Sequence, residues 1–248
     1  MNNVANFKIP SILDWVKEYQ VSWANHVIEA WDSDKMDKLT PFIKSHYWSD
    51  RHSINVFSVV GTAHPDYIGL TWLEFLHQGR RMRANQHLLQ SNPSYYDETE
   101  VKTPSMLYIS LNGKHWYVNG DGNHRTCLAR FYFDRENLQY ARTKTMLHGV
   151  TTDDYRIDWD LYHLYINIQK KLDEKKSSAR LEVVRTHLTR QDGPGWKIDK
   201  YESKLKYIAN GQEKMLDRET AQALLNQLNK ISILSALFKR KILRSEHD

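Results

Sequence analysis

Apolar residues recur at helical spacing near the start of the chain. From Ser11 to about Trp31 they fall every three or four positions, with charged residues on the opposite face. This pattern predicts a packed amphipathic helix. A second helix is predicted to open at Thr40-Pro41, because threonine is a favourable N-cap and proline suits the first helical position. Residues 1–49 are therefore interpreted as an N-terminal helical region.

The middle of the chain alternates strand and helix patterns. The β-branched run INVFSVV at 54–60 predicts a strand, and Thr71 with Glu74 forms a capping box that opens a helix. The remaining predicted elements are strands at 104–110 and 115–118 around an Asn112-Gly113 turn, a helix from about Asn123 to Asp134, and a strand near 143–150. Residues 50–150 thus form one α+β core.

The pattern changes after Thr151. Long amphipathic stretches at 160–190 and a final helix from Asp217 to about Leu243 predict a C-terminal helical region over 151–248. The apolar face of the final helix comprises Leu224, Leu225, Leu228, Ile231, Leu234, Phe238 and Ile242. The predicted fold is therefore α+β, with a central sheet and helical additions at both ends.

Composition narrows the class of protein. The chain has 248 residues, of which 40% are hydrophobic, and one cysteine, so a folded protein without an internal disulfide is expected. No run reaches the roughly 18 apolar residues of a membrane span, and the first residues do not resemble a signal peptide, so we expect no membrane partner and a cytoplasmic location. The net charge of +5 fits a polyanionic partner and an ordinary cationic surface equally well.

One short stretch concentrates candidate chemistry. Gly120 and Gly122 permit backbone conformations closed to other residues, and Gly122 directly precedes a predicted helix. Unpaired N–H groups and the positive end of the helix dipole converge at such a start, so this turn is typical of an anion-binding site.

The side chains of this turn suit a phosphate. Arg125 provides a bidentate fork, while Asn123 and Thr126 add hydrogen bonds. His124 exchanges protons near neutral pH, and Asp121 is a candidate to hold magnesium or orient water. The alternative is structural: a helix cap, a satisfied histidine and a solvated arginine. Cys127 falls on the apolar face of the helix and is interpreted as a core residue.

The segment Gly120 to Ala129 resembles the nucleotide-binding motif of the ParB/sulfiredoxin superfamily. The order of strand, helix and strand before it is similar to that superfamily's core, so the resemblance covers about residues 50–150. It implies that Gly122, Asn123, His124 and Arg125 contact the phosphates of ATP or CTP. Gly120 and Thr126, which belong to the same turn, complete the predicted nucleotide-binding residues. Members of the superfamily include plasmid-encoded fertility inhibitors of the Osa type, with ATPase and DNase activity, and partition proteins that use CTP to clamp DNA.

Two functions remain open. In the first, the chain hydrolyses phosphate esters of ATP, DNA or both in the control of mobile-element DNA, with Asp121, His124 and Arg125 as catalytic residues and magnesium held at Asp121. In the second, a DNA-binding or regulatory module senses a nucleotide without catalysis. The first is the leading hypothesis, because Asp121 and His124 stand side by side. The lack of the acidic residue that partition proteins carry in this motif favours the second.

Further basic residues precede the turn by one helix. Arg80, Arg81 and Arg83 are candidates to contact DNA phosphates, weakly and without sequence preference, since no pair of groove-reading helices is evident. A solvated cluster is the alternative. A third hypothesis is a protein partner that docks on the aromatic N-terminal helices.

Overall fold

The computed structural model describes residues 11–230 and has a mixed α+β fold. The chain divides into two compact units. The first comprises the described residues up to Ser33, His46–Tyr155 and Gln191–Ile198. The second comprises Asp34–Ser45, Arg156–Arg190 and the described residues from Asp199. The predicted boundaries near 49 and 150 do not coincide with this division, because each unit draws on separate stretches of the chain.

Nine strands and eight helices lie within residues 11–230. The strands are β1 (Glu29–Ala30), β2 (Ile43–Asn55), β3 (Val59–Thr62), β4 (Leu107–Ser110), β5 (Trp116–Val118), β6 (Met146–Ile157), β7 (Arg180–Gly193), β8 (Trp196–Ala209) and β9 (Gln212–Leu216). The helices are α1 (Ile12–Glu18), α2 (Ser33–Leu39), α3 (Trp72–Gln78), α4 (Met82–Ser91), α5 (Ser94–Asp97), α6 (Asn123–Tyr140), α7 (Trp159–Glu174) and α8, at 218–230, where the described part ends.

The sheet of the first unit has the strand order β1-β3-β5-β4-β6-β2. Strand β3 runs parallel to β1 and β5, whereas β4 is antiparallel to β5 and parallel to β6. Helix α6 packs against α1, α3 and α4. Its residues Cys127, Leu128 and Phe131 are fully buried, which confirms the predicted apolar face and the core position of the cysteine.

A buried arginine lies in the same helix. The guanidinium carbon of Arg130 is 4.6 Å from the ring centroid of Trp23 and 4.4 Å from that of Trp72. Nη1 donates a hydrogen bond to the carbonyl of Val59. Burial lowers the pKa of Arg130 to about 10. Cation–π contacts and this hydrogen bond offset part of the cost of burying the charge.

The middle of the chain largely follows the prediction. Thr71 and Glu74 form the predicted capping box at the start of α3, with both reciprocal hydrogen bonds present. The predicted strands at 104–110 and 115–118 correspond to β4 and β5, and the helix predicted from Asn123 corresponds to α6. The helix that opens at Thr71 ends at Gln78, and α4 begins separately at Met82.

The prediction of one N-terminal helix from Ser11 to Trp31 is wrong beyond Glu18. The chain becomes extended at Tyr19, forms a 3₁₀ turn at Ser22–Asn25, and then pairs as β1 with β3. The apolar spacing correctly indicates burial in α1, where Ile12 and Trp15 are buried. In the stretch that forms β1, strand pairing overrides the helical periodicity.

Two further local predictions are corrected. Thr40-Pro41 opens only a 3₁₀ turn, Thr40–Phe42, which leads into β2. The predicted strand at 54–60 is divided between β2 and β3 by a second turn, Val56–Ser58. The side-chain oxygen of Asn55 accepts a hydrogen bond from the N–H of Phe57 at 2.9 Å, and this local bond competes with strand pairing.

The prediction of a helical C-terminal region is wrong in its centre. Only α7 lies in the predicted helical stretch at 160–190, and the chain continues as strands β7, β8 and β9. Strands β8 and β9 pair antiparallel. The final helix begins as predicted, with the Asp217 carboxylate accepting from Thr220 N–H at 2.9 Å. The predicted apolar face from Ile231 onward lies outside the described residues.

Candidate functional site

The loop between β5 and α6 is shaped by two glycines with left-handed backbone. Gly120 has φ of 94° and Gly122 has φ of 111°. A Cβ atom on Gly122 would lie 3.2 Å from the Cα of Met106. The N–H of Leu107 donates to the carbonyl of Asp121 at 3.1 Å, so the loop is fixed to β4. Glycine at 122 is therefore required both by the backbone conformation and by the close approach of β4.

Helix α6 starts without a side-chain cap. Its N-cap residue is Gly122, which has no side chain to offer. The N–H of Thr126 donates to the carbonyl of Gly122 at 2.7 Å and makes the first intrahelical bond. The backbone N–H groups of residues 123–125 come before this first intrahelical bond. Together with the positive end of the helix dipole they form an environment suited to an anion.

Two of the predicted phosphate ligands have other roles. The side-chain oxygen of Asn123 accepts from Thr62 Oγ1 at 2.6 Å, and its Nδ2 donates to the carbonyl of Gly120 at 3.1 Å. Thr126 is fully buried, and its hydroxyl bonds to the carbonyl of Gly122 and the Tyr108 hydroxyl. Both side chains therefore hold the loop and helix in place, and their contact with phosphate stays a prediction.

Asp121 and Arg125 form an ion pair within the site. Arg125 Nη2 donates to Asp121 Oδ1 at 2.6 Å, and Nη1 donates to the carbonyl of Pro104 at 2.8 Å and to the Tyr95 hydroxyl at 3.3 Å. The Arg125 side chain is 12% exposed and that of Asp121 is 57% exposed. Arg125 thus joins the loop to the segment around Pro104, in addition to any contact with a ligand.

His124 is half-buried between aromatic rings. Its ring centroid lies 5.1 Å from that of Phe75 and 5.4 Å from that of Tyr67. Its Nε2 accepts a hydrogen bond of 3.4 Å from the N–H of Arg81. Burial, and then the positive charge of Arg81, lower the pKa of His124, so the imidazole is neutral at neutral pH.

The loop lies between two clefts of the first unit. The tyrosine cleft, with a volume of about 440 Å³, extends from the loop along α4 to Tyr95 and Pro104. The arginine cleft, of about 560 Å³, extends toward Tyr67 and Arg80. Both are lined by Arg81 and by residues 121–124. Each has the size of a small-molecule site.

The predicted magnesium ligand Asp121 is engaged by other groups of the protein. Asp121 Oδ1 already accepts from Arg125 and, at 2.8 Å, from the N–H of Gly122. Among residues 11–230 no group of three or more His, Cys, Asp or Glu side chains is placed to hold a metal ion. Magnesium sites normally combine one or two carboxylates with water and substrate phosphates, and Asp121 is already neutralised by an arginine.

Two of the three arginines predicted to contact DNA, Arg80 and Arg81, lie in the turn between α3 and α4, and the third, Arg83, lies at the start of α4. All three are exposed. Arg80 lines the arginine cleft, and Arg81 lines both clefts. Arg83 is on the first turn of α4 and is not among the residues that line either cleft. Arg81 is therefore the one of the three that the fold brings to the predicted phosphate site from both sides.

Sequence reasoning missed the residues that complete the site from other elements. Tyr95 and Pro104 bind Arg125, and Tyr67 and Phe75 enclose His124. The aromatic, polar stretch at 91–100 was a visible signal for Tyr95. Nothing in the pattern identified Pro104, because its contribution is a backbone carbonyl.

Comparison with known proteins returns no match, whether to a family model, to a curated protein or to a solved structure. The resemblance of Gly120 to Ala129 to the ParB/sulfiredoxin motif thus stays a prediction. The helices among residues 11–230 include none with the length and apolar character of a membrane span.

Proposed function

We propose that the chain binds the phosphate groups of a nucleoside triphosphate, ATP or CTP, at the start of α6. One observation carries the proposal: the uncapped start of α6 lies beside two clefts that share the cation Arg81. Backbone donors, a helix dipole and an arginine together favour a multiply charged phosphate over a neutral ligand.

The residues of the site have different roles in the proposed binding. The glycines at 120 and 122 bring the backbone close to the ligand, and Asn123 and Thr126 hold that backbone in position. Arg81 supplies the exposed positive charge. The nucleotide supplies the anionic phosphates, and the two clefts offer room for its base and sugar on either side of the loop.

The geometry favours binding without catalysis, which was the second of the two functions predicted from the sequence. Asp121 is paired with Arg125, and His124 Nε2 already accepts a hydrogen bond. A regulatory module that senses a nucleotide needs neither a free carboxylate nor a metal. DNA as a further partner of this module remains part of the same proposal.

Hydrolysis is a second candidate on one observation. His124 is neutral and lines both clefts, so its imidazole can accept a proton from an attacking water once the long bond of 3.4 Å from the Arg81 N–H to Nε2 opens. In that case His124→Gln lowers turnover more than affinity. Release of inorganic phosphate from ATP and CTP, measured beside binding on the same variant, separates the two candidates.

Calorimetric titration with ATP, CTP, GTP and UTP tests binding. Arg81→Ala is expected to weaken binding about 10-fold or more, since a charge-assisted hydrogen bond contributes about 1.5–3 kcal/mol. The substitution retains the N–H that bonds to His124. Arg83→Ala is the matched control, because it removes the same charge nearby without altering either cleft. The proposal fails if no nucleotide binds at millimolar concentration, or if both variants weaken binding equally.

A further inference from the structure

Among the residues that the structure describes, strand β7 is long, exposed and paired on one side only. It extends over 14 residues, Arg180–Gly193, and is the last strand of the order, next to β8. All of its residues from Val184 to Asp192 are exposed. Its sequence, RLEVVRTHLTRQDG, contains neither proline nor lysine, two residues that commonly protect sheet edges from pairing.

The outer edge of β7 is complementary to itself. When two antiparallel copies pair about a twofold axis through Thr186, Glu182 lies opposite the Arg190 of the second copy, and Arg180 opposite its Asp192. Both are pairs of opposite charge on one face of the strand. Directly opposite charges stabilise an antiparallel pair, whereas like charges destabilise it.

The apolar residues of the same face follow the same symmetry. Val184 and Leu188 are 38% and 55% exposed, and each lies opposite the other in this register. Thr186 lies opposite itself on the axis, and threonine pairs are favourable across strands. One face of the strand therefore pairs charge with opposite charge, apolar residue with apolar residue, and threonine with threonine.

Neighbouring registers lack this complementarity. A twofold axis perpendicular to the sheet keeps each side chain on its own face, so residues that lie opposite each other must share a face. Because faces alternate along the strand, the axis has to pass through a residue and not between two residues. An axis through Arg185 places Arg180 opposite Arg190, and an axis through His187 places Glu182 opposite Asp192. Both create like-charge pairs, so the charge pattern selects the axis through Thr186.

We propose that β7 is the interface of a symmetric homodimer, in which two copies of this strand pair antiparallel about Thr186. Residues 180–192 of both copies would then form roughly a dozen new backbone hydrogen bonds. Glu182 also bonds to Lys206 of its own chain at 2.9 Å, so the charge pair extends across three strands in the dimer. This inference is independent of the nucleotide site.

Cysteine crosslinking tests the register directly. Opposite residues of an antiparallel pair have Cα atoms about 4.5–5.5 Å apart, within the range of a disulfide. Thr186→Cys is therefore expected to give a crosslinked dimer under mild oxidation. Leu188→Cys is the matched control, because its own copy would lie about 14 Å away. The native Cys127 is buried and does not interfere.

Sedimentation and charge exchange complete the test. The wild-type chain of 29.4 kDa is expected to sediment as a dimer, and Arg190→Glu to shift it toward monomer. Glu182→Arg added to Arg190→Glu restores opposite charges and is expected to restore the dimer. A wild-type monomer at micromolar to millimolar concentration, equal crosslinking at 186 and 188, or a dimer without crosslinking at 186 would each overturn the proposal.

Discussion

Substitution of Arg125 by alanine is expected to destabilise the fold. The sequence alone assigned Arg125 to phosphate contact or to solvent, and in neither case gave it a partner within the protein. In the structure the guanidinium makes three hydrogen bonds, to Asp121, Pro104 and Tyr95, and joins the loop before α6 to the segment at 95–104.

The magnitude follows from the exposure of the partners. Asp121 is 57% exposed, so its ion pair contributes at most about 1 kcal/mol after solvent screening. The bonds to Pro104 and Tyr95 come from a charged donor whose side chain is 12% exposed, and they contribute about 1–2 kcal/mol together. Arg125→Ala should therefore lower the free energy of unfolding by about 1–3 kcal/mol, or the melting temperature by roughly 2–12 °C.

Urea denaturation followed by circular dichroism measures this loss. Arg81→Ala serves as the comparison, since Arg81 is exposed and its substitution is expected to change stability by less than about 0.5 kcal/mol. The two substitutions should thus have different effects: Arg125→Ala mainly lowers stability, and Arg81→Ala mainly lowers nucleotide affinity. Equal stability of both variants and wild type would refute the structural role assigned to Arg125.

Three further predictions concern the same region. Gly122→Ala should lower the free energy of unfolding in urea by about 2–3 kcal/mol, against about 1–2 kcal/mol for Gly69→Ala. Both glycines have positive φ, but only position 122 has backbone within 3.2 Å of the new methyl group. Equal losses would contradict the steric argument. The pKa of His124 is below its ordinary value of 6.5 in the fold, so the unfolded chain binds more protons and stability falls as pH drops below about 6.5. Melting curves between pH 5 and 8 should show this loss reduced in His124→Gln and retained when the exposed His77 is replaced by glutamine. Duplex DNA should bind weakly, with an affinity that falls as salt rises and a log–log slope smaller by about one in Arg83→Ala; a tight, salt-tolerant site would contradict this.

Local signals predicted the elements around the site well. The capping box at Thr71 and Glu74 and the turn between β4 and β5 depend on residues close in sequence, so one sequence is enough to identify them. The position of the anion-binding turn follows from the same kind of signal, since glycines directly precede a helix.

Longer-range interactions account for the main errors. The amphipathic spacing of 160–190 suggested helices throughout, but Val183, Val184, Thr186 and Thr189 are β-branched residues that favour a strand when a partner strand is present. That partner, β8, follows a tight turn at Pro194-Gly195, and turn residues alone do not identify a hairpin. Pairing between strands decides such cases, and no local pattern encodes it.

The roles of the site residues were harder to predict than their position. Asn123, Thr126 and Arg125 have the side chains that phosphate sites use, yet all three bond to groups of the protein. Their partners Thr62, Tyr108 and Pro104 come from three other parts of the chain, and only the fold brings them together.

The sandwich of Arg130 between Trp23 and Trp72 has a practical consequence for optical measurements. Both indoles lie against α6, the helix whose first turn borders the two clefts. A guanidinium at 4.4–4.6 Å from the ring centroids alters the emission of an indole, and the effect depends on their separation. Movement of α6 on ligand binding is therefore expected to change the contribution of these two tryptophans, among the eight of the chain, to the intrinsic fluorescence.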